Sequence, residues 1–326
     1  MRQAGRYLPE YRALREGIGF LEMCRDVERA VEASLQPIRL VGSEAVVFFS
    51  DIFVPVTGLG VRVEFAPGPV IESPIRTRGA VDALARRDPR GTVPFVFEVL
   101  RRLRSELAAA RIPLIGFAGA PFTLATYLVE GKGDASRRYP NLLRLMREEP
   151  ALVEALLERL AALTIDYLNA QIEAGAQVVQ LFDTWAGALD ADAYARWLLP
   201  GTRAIAAGVK RAEAPLILYA NDAPHLLDLM LETGADVISI GAAVDVADAA
   251  RRAGRRASLQ GNLDPRELAR GRAHIFARVR EIAEAARPAR GLVLNLGHGC
   301  LPDTPVAGVR AFTDAARSLA QGSNAE

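Results

Sequence analysis

The chain has 326 residues, half of them hydrophobic and about a quarter charged, with a mean hydropathy of +0.12. That excludes a disordered or low-complexity protein and describes one able to bury a large core. Its 40 basic and 39 acidic residues leave a formal charge of +1, which gives no global pull towards nucleic acid or a membrane surface, so any anion must be held by local clusters. Apolar runs such as Ala45-Val46-Val47-Phe48-Phe49 stop far short of a membrane span. No charged segment followed by an apolar one opens the chain, so no secretory leader is expected. Two cysteines, Cys24 and Cys300, without a Cys-x-x-Cys pair fit a reducing compartment, and a cytoplasmic location is the expectation.

Four arginines, Arg2, Arg6, Arg12 and Arg15, fall within the first fifteen residues. Guanidinium forks onto carboxylates with two parallel hydrogen bonds, so the cluster suits a polyanionic ligand. The alternative is a tail of solvated charges. Gly5, Tyr7, Leu8 and Pro9, a mix of turn and apolar residues, argue against a tail. Asp26 then reads as the N-cap of a helix with Val27, Ala30, Val31, Ser34 and Leu35 on one side, which Pro37 should bend or restart. Ala45 to Phe49 is short and uniformly apolar, as in a strand buried on both faces, and it ends on Ser50-Asp51. Val61 to Phe65 alternates with period two, and Pro67-Gly68-Pro69 turns it towards Val70-Ile71, predicting a hairpin.

The spacing next predicts a helix over 95–110, a buried strand over 113–117, and a turn over 118–121. The clearest helix spans 151–174, with Leu152, Leu156, Leu160 and Leu163 on one face and Gly175 at its C-terminal cap. Further strands are predicted at Val178–Phe182, Leu216–Tyr219, Val237–Ile240, Ser258–Asn262 and Leu292–Leu296. Asp264-Pro265 and Asp303-Thr304-Pro305 should open the helices that follow the last two. The tail from 321 to 326 should fray, and no linker divides the chain, so a single domain over 1–326 is expected. Seven apolar strands alternating with helices call for a parallel sheet with helical crossovers, either an open doubly wound sheet or a closed (β/α)8 barrel. An eighth strand would lie at or before Met1-Arg2. No glycine-rich dinucleotide fingerprint follows the first strand.

The residues at the strand ends are distinctive: Asp51, Asp183-Thr184, Asn221, Asn262 and His298. Asp51 is either a turn cap or a desolvated functional group. His298, one of three histidines, sits between Gly297 and Gly299, which leave room for a ligand. Tyr127 falls in a helical stretch where a core tyrosine is the plain alternative, and Thr184 could simply end its strand. There is no Gly-x-Ser-x-Gly elbow and no His-Glu-x-x-His. His298-Gly299-Cys300 could be half of a zinc site, but the only other cysteine is remote, and no metal site is expected.

Taken together, the runs 1–10, Phe49-Ser50-Asp51-Ile52, 116–124, Tyr127-Leu128-Val129-Glu130-Gly131, Gln180-Leu181-Phe182-Asp183, 260–265 and Leu296-Gly297-His298-Gly299 resemble the uroporphyrinogen decarboxylase family, in the family's order across nearly the whole chain. The resemblance implies a (β/α)8 barrel, usually a homodimer with facing clefts, that removes the four acetate carboxyls of uroporphyrinogen III without a metal or organic cofactor. It implies Arg2, Arg6 and Asp51 as catalytic groups. It further implies Gln3, Arg15, Tyr127, Thr184 and His298 as substrate-binding groups beside Arg2, Arg6 and Asp51. Relatives carry an apolar strand ahead of the first motif, so two expectations stand: either the start is placed too late, or the barrel is short of its N-terminal strand. Many relatives have Ser in place of Thr184, and Asp-Trp in place of Gly241-Ala242. Two other readings are a zinc-dependent methyltransferase of the same barrel superfamily and a non-catalytic tetrapyrrole-binding protein. The first would need stoichiometric zinc; the second would bind without turnover.

Overall fold

The computed structural model describes residues 3–65, 68–133, 136 and 138–322. The strands are β1 Val46–Val47, β2 Val63–Phe65, β3 Pro69–Ile71, β4 Leu114–Gly119, β5 Val178–Asp183, β6 Leu216–Ala220, β7 Val237–Ile240, β8 Ser258–Leu263 and β9 Leu292–Leu296. β2 and β3 form the predicted antiparallel hairpin, with Val63 opposite Ile71. The other seven pair in parallel in the order β1-β4-β5-β6-β7-β8-β9. Every crossover therefore steps one place in the same direction, as right-handed strand–helix–strand units do when they curl a sheet. The result is a curled half-barrel of seven strands. All seven were legible as apolar runs, because a sheet covered on both faces has no polar side; β6 and β7 are buried along their whole length.

The inside of the curl is marked by side-chain bonds across it, some between strands that are not neighbours. The Tyr219 hydroxyl on β6 donates to the Gly297 carbonyl beyond β9 at 3.1 Å. The Gln260 amide on β8 lies 3.4 Å from Gln180 Oε1 on β5 and 2.9 Å from Ser239 Oγ on β7. A ladder of rings runs towards that interior: Phe48 on Phe117 at 5.0 Å, Phe117 on Phe182 at 5.7 Å, and Phe182 on Tyr219 at 5.8 Å. Such tilted and edge-on pairs add modestly to the burial energy of each ring.

Two helix boundaries differ from the sequence reading. The helix Val27–Val41 continues through Pro37 without restarting, because the proline is buried and its packing offsets one lost amide donor. Asp264 caps only a short 3-10 turn, Pro265–Ala269, and the long helix begins later, at Arg272. The clearest helix, Pro150–Glu173, ends as expected, with Gly175 at a φ of +113°. The last helix, Val306–Gly322, bonds back to the first long one: Arg310 Nε donates to the Leu40 carbonyl at 2.7 Å and Thr313 Oγ1 to that of Val41 at 2.6 Å. Among the described residues no helix is long and apolar enough to cross a membrane.

Candidate active site

In parallel strands joined by helices, loops at the C-terminal strand ends collect functional side chains. The chain after β1 carries Asp51 into the short helix Val54–Thr57, where its Oδ1 accepts the Phe53 N–H at 2.9 Å. Asp51 is half-buried. Its charge is felt by two neighbours, Cys24 and Tyr167, both pushed above their ordinary pKa, chiefly by burial and then in part by Asp51. Arg15 and Arg25 act on Cys24 in the opposite sense. The N-terminal guanidinium Arg15 and the carboxylate of Asp51 thus share one neighbourhood. Arg15 stacks over Phe20 at 5.5 Å, and Phe20 packs on Phe49, two residues before Asp51.

The other candidates lie on neighbouring elements. Tyr127, on the helix Pro121–Glu130, lies edge-on to Phe53 at 4.9 Å and packs against Trp185 at 6.3 Å. Trp185 adjoins Thr184, which is half-buried at the end of β5. Tyr7 of the N-terminal motif is buried beside Cys300; burial, then Cys300, raises its pKa. That contact brings the opening motif to the loop that holds His298. His298 itself is exposed. Its loop is fixed by Gly297, whose N–H donates to Leu263 at 2.8 Å, and a Cβ on Gly297 would lie 2.3 Å from the Ala242 nitrogen. Gly241-Ala242 is therefore in close backbone contact with the His298 loop.

Arg2 lies outside the described residues. Arg6 is exposed, and its carbonyl accepts from Arg12 Nη1 at 2.6 Å. Gln3 is engaged otherwise than a ligand-facing amide would be: its Nε2 donates to the Ala45 carbonyl at 2.8 Å and its Oε1 accepts the Val47 N–H at 2.9 Å. The side chain imitates one rung of a ladder along the outer edge of β1, a job no periodicity in the sequence announces. Asn221 and Asn262 are buried at the ends of β6 and β8, two strands flanking β7. Asn221 Oδ1 lies 2.9 Å from the Tyr219 hydroxyl, and Asn262 donates to the carbonyls of Gly241 and Val244.

The family model described as uroporphyrinogen decarboxylase (URO-D) matches residues 1–319. A uroporphyrinogen decarboxylase of Pelobacter propionicus is 43% identical over 321 residues, 98% of this chain and 94% of the relative. One of Gloeobacter violaceus is 45% identical over 324 residues, 98% of this chain and 92% of that protein. The chain belongs to the uroporphyrinogen decarboxylase family. Among solved structures, a methyltransferase from Methanosarcina mazei superposes with a TM-score of 0.80 at 22% identity, covering 94% of this chain and 90% of that one. At that identity the likeness speaks for the shared curl of the sheet.

For this decarboxylase-family chain, no group of three or more His, Cys, Asp or Glu side chains comes together as a metal-holding set among the described residues. Burial pushes the thiol of Cys300, one of the two zinc-ligand candidates, up to about 11.

Sequence reasoning passed over one pair beside the site. Asp183, at the end of β5, is buried, and its Oδ1 accepts the Thr123 hydroxyl at 2.9 Å. Burial pushes its carboxyl up to about 7, while Thr123 acts to hold it down. Asp183 stood out in the sequence as an acid at a strand end and in the run Gln180-Leu181-Phe182-Asp183, but nothing there pointed to its bond with Thr123.

Proposed function

We propose that this chain removes the four acetate carboxyls of uroporphyrinogen III as CO2, giving coproporphyrinogen III, in porphyrin and haem biosynthesis. What supports the reading is membership of this family together with the placing of Asp51 near the Arg15 stretch and near Phe53, on which Tyr127 packs, while Thr184 and His298 follow other strands of the same sheet.

Losing CO2 from an acetate leaves an electron pair that needs a sink. Protonating the pyrrole carbon that bears the acetate makes the ring a cation, and the C–C electrons flow into it as CO2 departs. The exocyclic methylene then takes a proton and the ring carbon releases one, so each acetate consumes one proton and becomes a methyl group. The sink is the substrate's own ring, so the step draws on no metal or organic cofactor. The pyrrole N–H groups of a domed tetrapyrrole point inward. One carboxylate, Asp51, accepts from them and stabilises the cation, more strongly in a half-apolar cleft than in water. Arg2, Arg6 and Arg15, with His298, hold the acidic rim, and Tyr127 and Thr184 donate hydrogen bonds to it. Gln3 serves by tying the opening motif to β1. Arg2 is the group we assign to proton delivery, through a depressed pKa or a water relay.

We read the half-barrel as the larger part of a (β/α)8 barrel, closed by a further strand between β9 and β1, and residues 1–326 as one catalytic domain. A cytoplasmic homodimer with facing clefts completes the proposal; the two free cysteines suit a reducing compartment. The test is anaerobic incubation with uroporphyrinogen without added metal, with product carboxyl number read by chromatography. Wild type should yield the tetracarboxylic product, and Asp51→Asn should lose ~10²-fold or more in rate. No CO2 loss by wild type would overturn the activity, and full activity in Asp51→Asn would overturn the role of Asp51.

A further inference from the structure

Three aromatic side chains and one threonine connect the buried acid at the end of β5 to the proposed carboxylate after β1. Thr123 occupies the first turn of the helix Pro121–Glu130, whose N-cap residue, Ala120, has no side chain able to cap it. The Thr123 hydroxyl works in two directions. It donates to Asp183 Oδ1 at 2.9 Å and accepts the Trp185 N–H at 3.2 Å. Thr123 is 1% exposed and Asp183 2%, so neither bond is shared with solvent. One turn further along the same helix, Tyr127 packs its ring against Trp185 on one side and Phe53 on the other. Phe53 in turn donates its N–H to Asp51.

We propose that Asp183 and Thr123 form a positioning pair that fixes the Tyr127–Trp185 wall, and with it the height of the Thr184 hydroxyl and the setting of Asp51. The inference rests on the decarboxylase reading given above. Neither member of the pair touches substrate. Their effect passes through the helix, which Thr123 locks to the end of β5, and through the Trp185 N–H, which fixes the peptide after Thr184. A hydroxyl is the only group that can serve there, because the position needs a donor and an acceptor on one atom. Asp183 orients it: with the carboxylate accepting, the hydroxyl proton points at β5 and a lone pair is left for Trp185. Displacements well below the size of a side chain are enough to disturb a preorganised site.

The experiment compares Thr123→Val, which keeps the shape and loses the hydroxyl, with Thr123→Ser, which restores it. Steady-state decarboxylation is measured with thermal midpoints alongside. The valine variant should lose about tenfold in kcat with KM changed less than threefold, and serine should return kcat to within about twofold of wild type. Asp183→Asn should lose a similar factor. Thr123→Val added to Asp183→Asn should cost little more, since the two act as one unit. If valine destabilises the fold, Thr123→Ala with and without Asp183→Asn reads the same coupling. A valine or asparagine variant that keeps wild-type kcat, or a double variant whose losses multiply, overturns the pair. An inactive wild type would instead refute the decarboxylase reading itself.

Discussion

Asp183 offers a prediction whose sign and size can be worked out. Its carboxyl has a model-peptide value of 3.8 and stands at about 7 in the folded protein, because burial removes water from the charged form faster than Thr123 can compensate. Between those two values the folded chain holds a proton that the unfolded chain has released. Stability contributed by this group is therefore fully present below about pH 4 and is lost as pH rises through about 7. A shift of roughly three units at 1.36 kcal/mol each gives a loss of about 4 kcal/mol across that window. Asp183→Asn cannot ionise, so it should remove this slope. It should also cost about 1 kcal/mol for the altered bond to Thr123. The variant is thus expected to be slightly less stable than wild type at pH 4 and more stable, by about 3 kcal/mol, at pH 8. Urea unfolding of both proteins from pH 4 to pH 8, read as the difference between them, isolates this residue from the surface ion pairs, which are common to both. Parallel stability curves over that range would refute the reasoning and would mean that water or another donor reaches the carboxylate.

Two other perturbations test the architecture around the site. Gln3→Ala should lower stability by about 1–2 kcal/mol, since both the Ala45 carbonyl and the Val47 N–H lose their partner; an unchanged urea midpoint with an unchanged m-value would show that the edge of β1 does not need it. Gly297→Ala should cost about 2 kcal/mol or more and reduce turnover, because its new methyl meets the Ala242 backbone at 2.3 Å, where no side chain can swing aside. A variant with the wild-type melting temperature and kcat would remove the close contact from the account of how His298 is held.

The strands were readable because each is an apolar run bounded by polar or glycine residues, and the ends of those runs named Asp51, Thr184 and His298 as candidates. The course of the helix past Pro37 was not readable. Local rules count the missing amide of a proline, whereas the burial that offsets it depends on elements distant in sequence. Gln3 was hidden for a related reason: nothing in Met1 to Arg6 says that the outer edge of Val46–Val47 stands unpaired and within reach of an amide. The Asp183–Thr123 bond spans sixty positions and joins a strand end to a helix start, so neither the period of the strand nor that of the helix carries it. Even the cleft needed the resemblance before its residues had roles, because an aspartate, a tyrosine and a histidine at loop positions each have an ordinary explanation.

The bonds from the last helix to Leu40 and Val41 join residues 270 and 272 positions apart, and Arg317 reaches the Gly42 carbonyl as well. During synthesis the helix Val27–Val41 leaves the ribosome long before Val306–Gly322 exists. Its flank must wait unprotected while all the residues between the two helices are made. Such late closure slows folding and leaves the nascent chain exposed to misassociation, which makes the C-terminal helix the latch that ends that vulnerable interval.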